Sequence, residues 1–224
     1  MGKKRGGSMK AEALVTGEVY HVYSKSIAGY EIFNNDSEFM RMKKVMAYYQ
    51  GERQAINFSR FKECSIEFIK RSLSKDIKKL VQIICYCIMP THIHLVLKQL
   101  EENGISCFMG NVLNSYSRYF NIKHNRKGPL WEGRFKKVHV RSDEQLLHLT
   151  RYIHLNPPTA YLVNQPEDWK YSSYGEYIAG CNPEDCICDF DGILDIIPGS
   201  YKKFAEDRIA YQRELAKIRN LIFE

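Results

Sequence analysis

Apolar and polar residues alternate along residues 17–25 (GEVYHVYSK). With its valines and tyrosines this run predicts an early strand, broken at Gly29. The period then changes. Asp36 reads as a helix N-cap, and Phe39, Met42, Val45, Met46 and Tyr49 recur at helical spacing through residues 37–49. Residues 55–58 read as a short strand and 65–80 as a basic amphipathic helix. Two apolar runs, VQIICYCIM at 81–89 and HIHLVLK at 92–98, are separated only by Pro90 and Thr91, so a tight antiparallel turn at the centre of a sheet is expected. A helix over 105–123, a loop over 124–133 and a strand over 135–141 follow. Ser142 is a suitable N-cap for a helix over 143–155, which Asn156-Pro157-Pro158 should end. The remainder reads as loop with a short helix over 181–199 and a charged helix over 201–223. Strands interleaved with helices predict an α+β sheet with helices on one face.

The 224 residues, 44% of them hydrophobic, suffice for one ordinary domain with a smaller C-terminal appendage. We divide the chain into a basic flexible arm or cloning scar (1–12), a main domain (13–180) and a C-terminal loop and helix extension (181–224). No apolar run reaches the roughly 18 to 20 residues that span a bilayer, and residues 1–9 lack the apolar core of a secretory signal, so no membrane partner and a cytoplasmic location are expected. The seven cysteines are an odd number, which favours reduced thiols over a disulfide framework. Cys181, Cys186 and Cys188 cluster, but their spacing fits none of the usual zinc patterns. The net charge of +7 and pI of about 8.9 suit nucleic acid or an acidic surface without choosing between them.

His92-Ile93-His94 carries the sharpest chemistry. Alternate strand residues share a face, so both imidazoles point the same way, about 7 Å apart at Cα, where they could grip a divalent cation. An isolated pair of this kind is more often two partly exposed strand histidines. In the following helix His148, Tyr152 and Asn156 recur at every fourth position, one stripe on one face. This places a phenol beside an amide oxygen able to ligate a hard cation such as Mg²⁺ or Mn²⁺. Tyr152 could then attack a phosphate that the cation holds, or be simply a half-buried helix aromatic.

The run CIMPTHIHLVL (87–97), then GPLWEGRF (128–135), RYIHLNP (151–157) and WKYSS (169–173) resembles, in order, the tyrosine HUH single-strand transposases, in the branch related to the REP-associated tyrosine transposases. The resemblance covers residues 19–179. It implies a ferredoxin-like antiparallel sheet with helices packed on it, a divalent cation (Mg²⁺ or Mn²⁺) at His92, His94 and Asn156, and Tyr152 as the nucleophile that becomes joined to a 5′-phosphate. A free 3′-hydroxyl is left, whose attack rejoins strands. Related branches carry glutamine where Asn156 stands, and many relatives carry arginine at Lys25. Tyr116 and Tyr119 are competing nucleophiles without a ligand four residues on.

The segment HNRKGPLWEGRFKK (124–137) sets Arg126, Lys127, Arg134, Lys136 and Lys137 around Trp131, a combination suited to neutralising phosphates while an indole stacks on an unpaired base. Its plain alternative is a solvated loop with Trp131 in the core. Lys70, Arg71, Lys75, Lys78 and Lys79 form a second basic cluster, read as a solvated helix face, and the aromatic run 169–177 as packing. The expected partner is single-stranded DNA with hairpin elements, and a homodimer exchanging helices is left open. Two other functions compete with cleavage and strand transfer: a hairpin-binding protein without turnover, and a metal-dependent phosphodiesterase that uses activated water.

Overall fold

The computed structural model describes residues 13–52, 78–179 and 186–223. Four strands, β1 (Val19–Lys25), β2 (Val81–Met89), β3 (His92–Gln99) and β4 (Lys136–Val140), make one sheet. Their lateral order is β2-β3-β1-β4, and each neighbouring pair is antiparallel. β3 is thereby slotted between the parallel β1 and β2, which is the split β-α-β arrangement of the expected ferredoxin-like α+β sheet. Pro90 and Thr91 close the expected hairpin, with Met89 opposite His92. The strand expected at 55–58 and nearly all of the helix expected at 65–80 lie outside the described residues.

Helices cover both faces of the sheet, not one. On the first face, Tyr20 and Val22 of β1, Ile83, Tyr86 and Ile88 of β2, and Ile93, Leu95 and Leu97 of β3 pack against α1 (Asp36–Tyr49) and α2 (Gly104–Lys123). On the second, Cys85, Cys87, Met89, Val96 and Val140 pack against Leu146 and Ile153 of α3 (Asp143–His154). The reason is visible in β2 and β3: their runs are apolar at nearly every position, so each strand has two faces to bury. A break in the β2–β3 register between Ile83 and Cys85 lets Ile84 and Cys85 both reach the second core.

Ser142 caps α3 as expected, its Oγ accepting from the Gln145 backbone N–H at 3.1 Å. At α1 the cap is Asn35, and Asp36 belongs to the first turn, where its charge suits the helix dipole. Glu38, also in that turn, is fully buried. It accepts from the Asn34 N–H (2.7 Å), Lys123 Nζ (2.7 Å) and His124 Nε2 (2.7 Å), and so ties α1 to the end of α2. Gly104 opens α2 because a Cβ there would collide with the Leu80 carbonyl oxygen. Helix α3 ends at His154, ahead of the prolines as expected. They open a short helix, α4 (Asn156–Thr159), since a first turn tolerates residues without an N–H.

Beyond α4, Trp169 packs as expected, donating Nε1–H to the Ile88 carbonyl beside Phe39 and Tyr171. Tyr171 and Ser173 then bond the outer edge of β2: the Tyr171 carbonyl accepts from Ile88 N–H, and Ser173 N–H donates to Tyr86 O. Asp189 N–H continues this seal at Ile83 O. Helix α5 (Tyr174–Ile178) follows. The helix expected at 201–223 is two, α6 (Pro198–Glu206) and α7 (Ile209–Phe223), and Tyr201 and Ala205 join the second core. Cys85, Cys87, Cys107 and Cys188 are free thiols, whereas Cys186 is disulfide-bonded, so the expectation of reduced thiols does not hold there. No described helix is long and apolar enough to cross a membrane.

Candidate functional site

Antiparallel register builds the site on the second face of the sheet. His92 and His94 of β3 stand opposite Lys25 and Tyr23 of β1, and the two imidazoles meet edge to face, 5.0 Å between centroids. His94 is 7% exposed and His92 half-buried. Burial pushes the His92 ring down to about 4, with Lys25 adding to the effect, and lowers His94 well below the usual imidazole range. Both rings are therefore neutral at physiological pH and keep a nitrogen lone pair.

Each Nδ1 is already engaged. His92 Nδ1 lies 2.9 Å from Thr91 Oγ1, and His94 Nδ1 lies 2.9 Å from Nε2 of His21 on β1. In the tautomers that donate from Nδ1, both Nε2 atoms remain open to a cation, the pattern of metal-binding histidines. The donor set thus fits a divalent ion. Among the described residues no three His, Cys, Asp or Glu side chains converge as a metal cluster, so a cation here would need the amide or substrate oxygens as further ligands.

Helix α3 delivers Tyr152 to this pair. The Tyr152 ring stands edge-on to His94 at 6.2 Å and 83°, and its side is open, 39% exposed. His148 receives a hydrogen bond from Arg151 (2.7 Å) and lies against Phe204 of α6. Asn156 lies beyond the end of α3, in the first turn of α4, with Nδ2 donating to Ile153 O at 3.4 Å. The Tyr152 carbonyl accepts from Gln212 Nε2 of α7 (3.2 Å), and Arg213 Nε donates to Pro158 O (2.8 Å), so the C-terminal helix braces the turn behind the tyrosine. Of the competing tyrosines, Tyr116 is fully buried with its hydroxyl on Ile32 O, and the Tyr119 ring packs beneath Arg41 and Lys123.

The basic loop is divided by the fold. Trp131 does not present its indole for base stacking: it is 7% exposed, donates Nε1–H to Leu113 O at 3.2 Å and packs near Phe33 and Tyr116. Arg126 is engaged by Asn121 Oδ1 of α2 and by the loop carbonyls of Gly128 and Pro129. Lys127 is exposed. Lys25 O accepts from Glu132 N–H, a bond that brings Arg134 beside β1. Arg134 and Lys136 line an open cleft with Tyr23, Ser24, Lys25, Glu132 and Gly133. Lys136 pairs with Tyr23 and shares the histidine face, while Lys137 pairs with Val22 and points to the other face. Of the second cluster, Lys70, Arg71 and Lys75 lie outside the described residues, and Lys78 and Lys79 pair with Glu101 and Asp189.

His21 and Tyr23 were not expected at the site, and Lys25 was marked only as a position where relatives carry arginine. The alternation GEVYHVYSK set them on one face of β1, but only the pairing of β1 with β3 brings that face to the histidines.

Comparison with known proteins identifies the family and the fold. Residues 40–156 match the family model of the IS200-like transposases. A Haemophilus influenzae protein named as a REP-associated tyrosine transposase is 31% identical over 116 residues, which span 46% of this chain and 65% of that protein. A solved REP-associated tyrosine transposase bound to a REP hairpin superposes with a TM-score of 0.52 at 16% identity, over 85% of this chain and 99% of its own. That likeness is one of fold. With the family model covering more than half of its residues, the chain belongs to the IS200-like transposases.

Proposed function

We propose that the chain is a metal-dependent endonuclease and strand transferase for single-stranded DNA with hairpin elements, acting through Tyr152. The observation that carries this reading is the open Tyr152 phenol standing edge-on to the buried His94. His92 and His94, with Asn156, would hold Mg²⁺ or Mn²⁺, which when bound supplies Lewis acidity to the scissile phosphate. Lys25, Arg134 and Lys136 bind the backbone on the same face and orient it. The Tyr152 oxygen attacks phosphorus as its proton leaves, the bond to the 3′-oxygen breaks, and that oxygen takes up a proton to become a free 3′-hydroxyl. The 5′-phosphotyrosine so formed conserves the phosphodiester, and attack by a 3′-hydroxyl rejoins strands and restores the phenol without an energy cofactor. The hairpin partner is supported by the relative whose structure holds a REP hairpin.

Labelled hairpin DNA incubated with the protein and Mg²⁺ or Mn²⁺ should give a covalent adduct on a denaturing gel, absent with EDTA and absent in Tyr152→Phe. Cleavage without an adduct, unchanged in Tyr152→Phe, would replace this reading with hydrolysis by activated water. Binding without any cleavage would leave a hairpin-binding protein.

A further inference from the structure

We infer that His21 is a positioning residue for the metal centre, holding His94 in the orientation and tautomer that presents Nε2 to the cation. This rests on the metal-dependent reading above and adds to it a residue outside the histidine motif. His21 stands opposite Val96 in the β1–β3 register, and Tyr23 opposite His94, so His21 reaches His94 along the diagonal of the pair. The rings are near-parallel (22°), with 5.1 Å between centroids and 2.9 Å from His21 Nε2 to His94 Nδ1. They meet through their nitrogen edges in a hydrogen bond. Two ring nitrogens this close need one proton between them. With the proton on His94 Nδ1, His21 Nε2 accepts, and the lone pair of His94 is left on Nε2 alone. Thr91 Oγ1 serves His92 in the same way, so each histidine of the pair has its own partner. His21 spends Nε2 on His94, and among the described residues no three-residue cluster suited to a metal forms around it; its action passes through His94.

A partner in this position is worth roughly 10- to 100-fold in metal affinity. The test is a Mn²⁺ titration of the full chain, with free ion read by electron paramagnetic resonance, on wild type, His21→Ala, His21→Gln and His92→Ala, each checked for an unchanged melting curve. The expected result is a loss of roughly 10-fold or more in His21→Ala, recovery towards wild type in His21→Gln, whose side-chain carbonyl can accept from His94, and no measurable binding in His92→Ala. Unchanged affinity in His21→Ala would overturn the inference and leave the metal site standing. A loss in His21→Ala as complete as in His92→Ala, without recovery in His21→Gln, would overturn it in favour of direct ligation. Wild type failing to bind Mn²⁺ would remove the metal-dependent reading and this inference together.

Discussion

Tyr152 on α3 and His94 on β3 meet edge to face at 6.2 Å within a single chain. One copy thus holds the proposed nucleophile and the histidine pair side by side. Mixing Tyr152→Phe with His92→Ala should not restore adduct formation, because neither chain contains a whole site. Recovery of adduct in the mixture, followed on a denaturing gel, would mean that copies exchange α3.

Neighbours in sequence can be far apart in effect on DNA. Lys136 shares the face of the histidine pair and Lys137 points away. Lys136→Ala should weaken binding to hairpin DNA across sequences and lower the slope of log affinity against log salt by about one. Lys137→Ala should change that slope less, and fluorescence anisotropy over a salt series measures both.

Trp131 belongs to the core. Trp131→Ala should cost about 3–5 kcal/mol of stability, read as a fall in the denaturant midpoint, while the fraction still folded binds hairpin DNA as wild type does. A midpoint unchanged from wild type, accompanied by a loss of DNA affinity, would return the indole to a stacking role.

Stability should fall in acid through two buried groups outside the histidine pair. Burial works to raise the Glu38 pKa, but hydrogen bonds from Lys123, Asn34 and His124 outweigh it and hold the carboxyl at about 2. Its folded value lies below its unfolded one, so its contribution is complete above about 4.5 and is lost as pH falls towards 2. His154, fully buried and bonded to Tyr201 OH (2.7 Å) and Ser173 Oγ (2.8 Å), is pushed by burial to about 3. It stays neutral in the folded state, so its contribution is complete above about 6.5 and fades as pH falls towards 3. Glu38→Gln should lower stability by about 2 kcal/mol at neutral pH and flatten the acid limb below pH 4.5, as followed by melting temperature against pH. An acid limb as steep as that of wild type would place the titrating group elsewhere.

What the sequence discloses follows the range of the forces involved. The period of two along β3 sets His92 and His94 on one face, and the helical period places Tyr152 on a polar stripe; both are local geometry. His21 escaped because its link to His94 depends on which strands pair and in what register, a product of the whole topology. Trp131 was misread because its charged, glycine-bearing neighbours look solvated, although the indole itself turns inward to Leu113. Asp36 and Asn35 differ by one position, the usual blur of a helix end. The two-sided packing was in principle legible in the unbroken apolar runs of β2 and β3.

The segments that bond the outer edge of β2 also limit how the molecule can associate. Tyr171, Ser173 and Asp189 occupy backbone groups of Ile88, Tyr86 and Ile83 that would otherwise template a further strand. The opposite edge, β4, has only five residues and begins with two lysines, a length and charge that discourage strand pairing. The sheet is thus closed to growth on one side and poorly suited to it on the other. Among the described residues, neither edge of the sheet offers a free strand suited to pairing, so the sheet is guarded against edge-to-edge association.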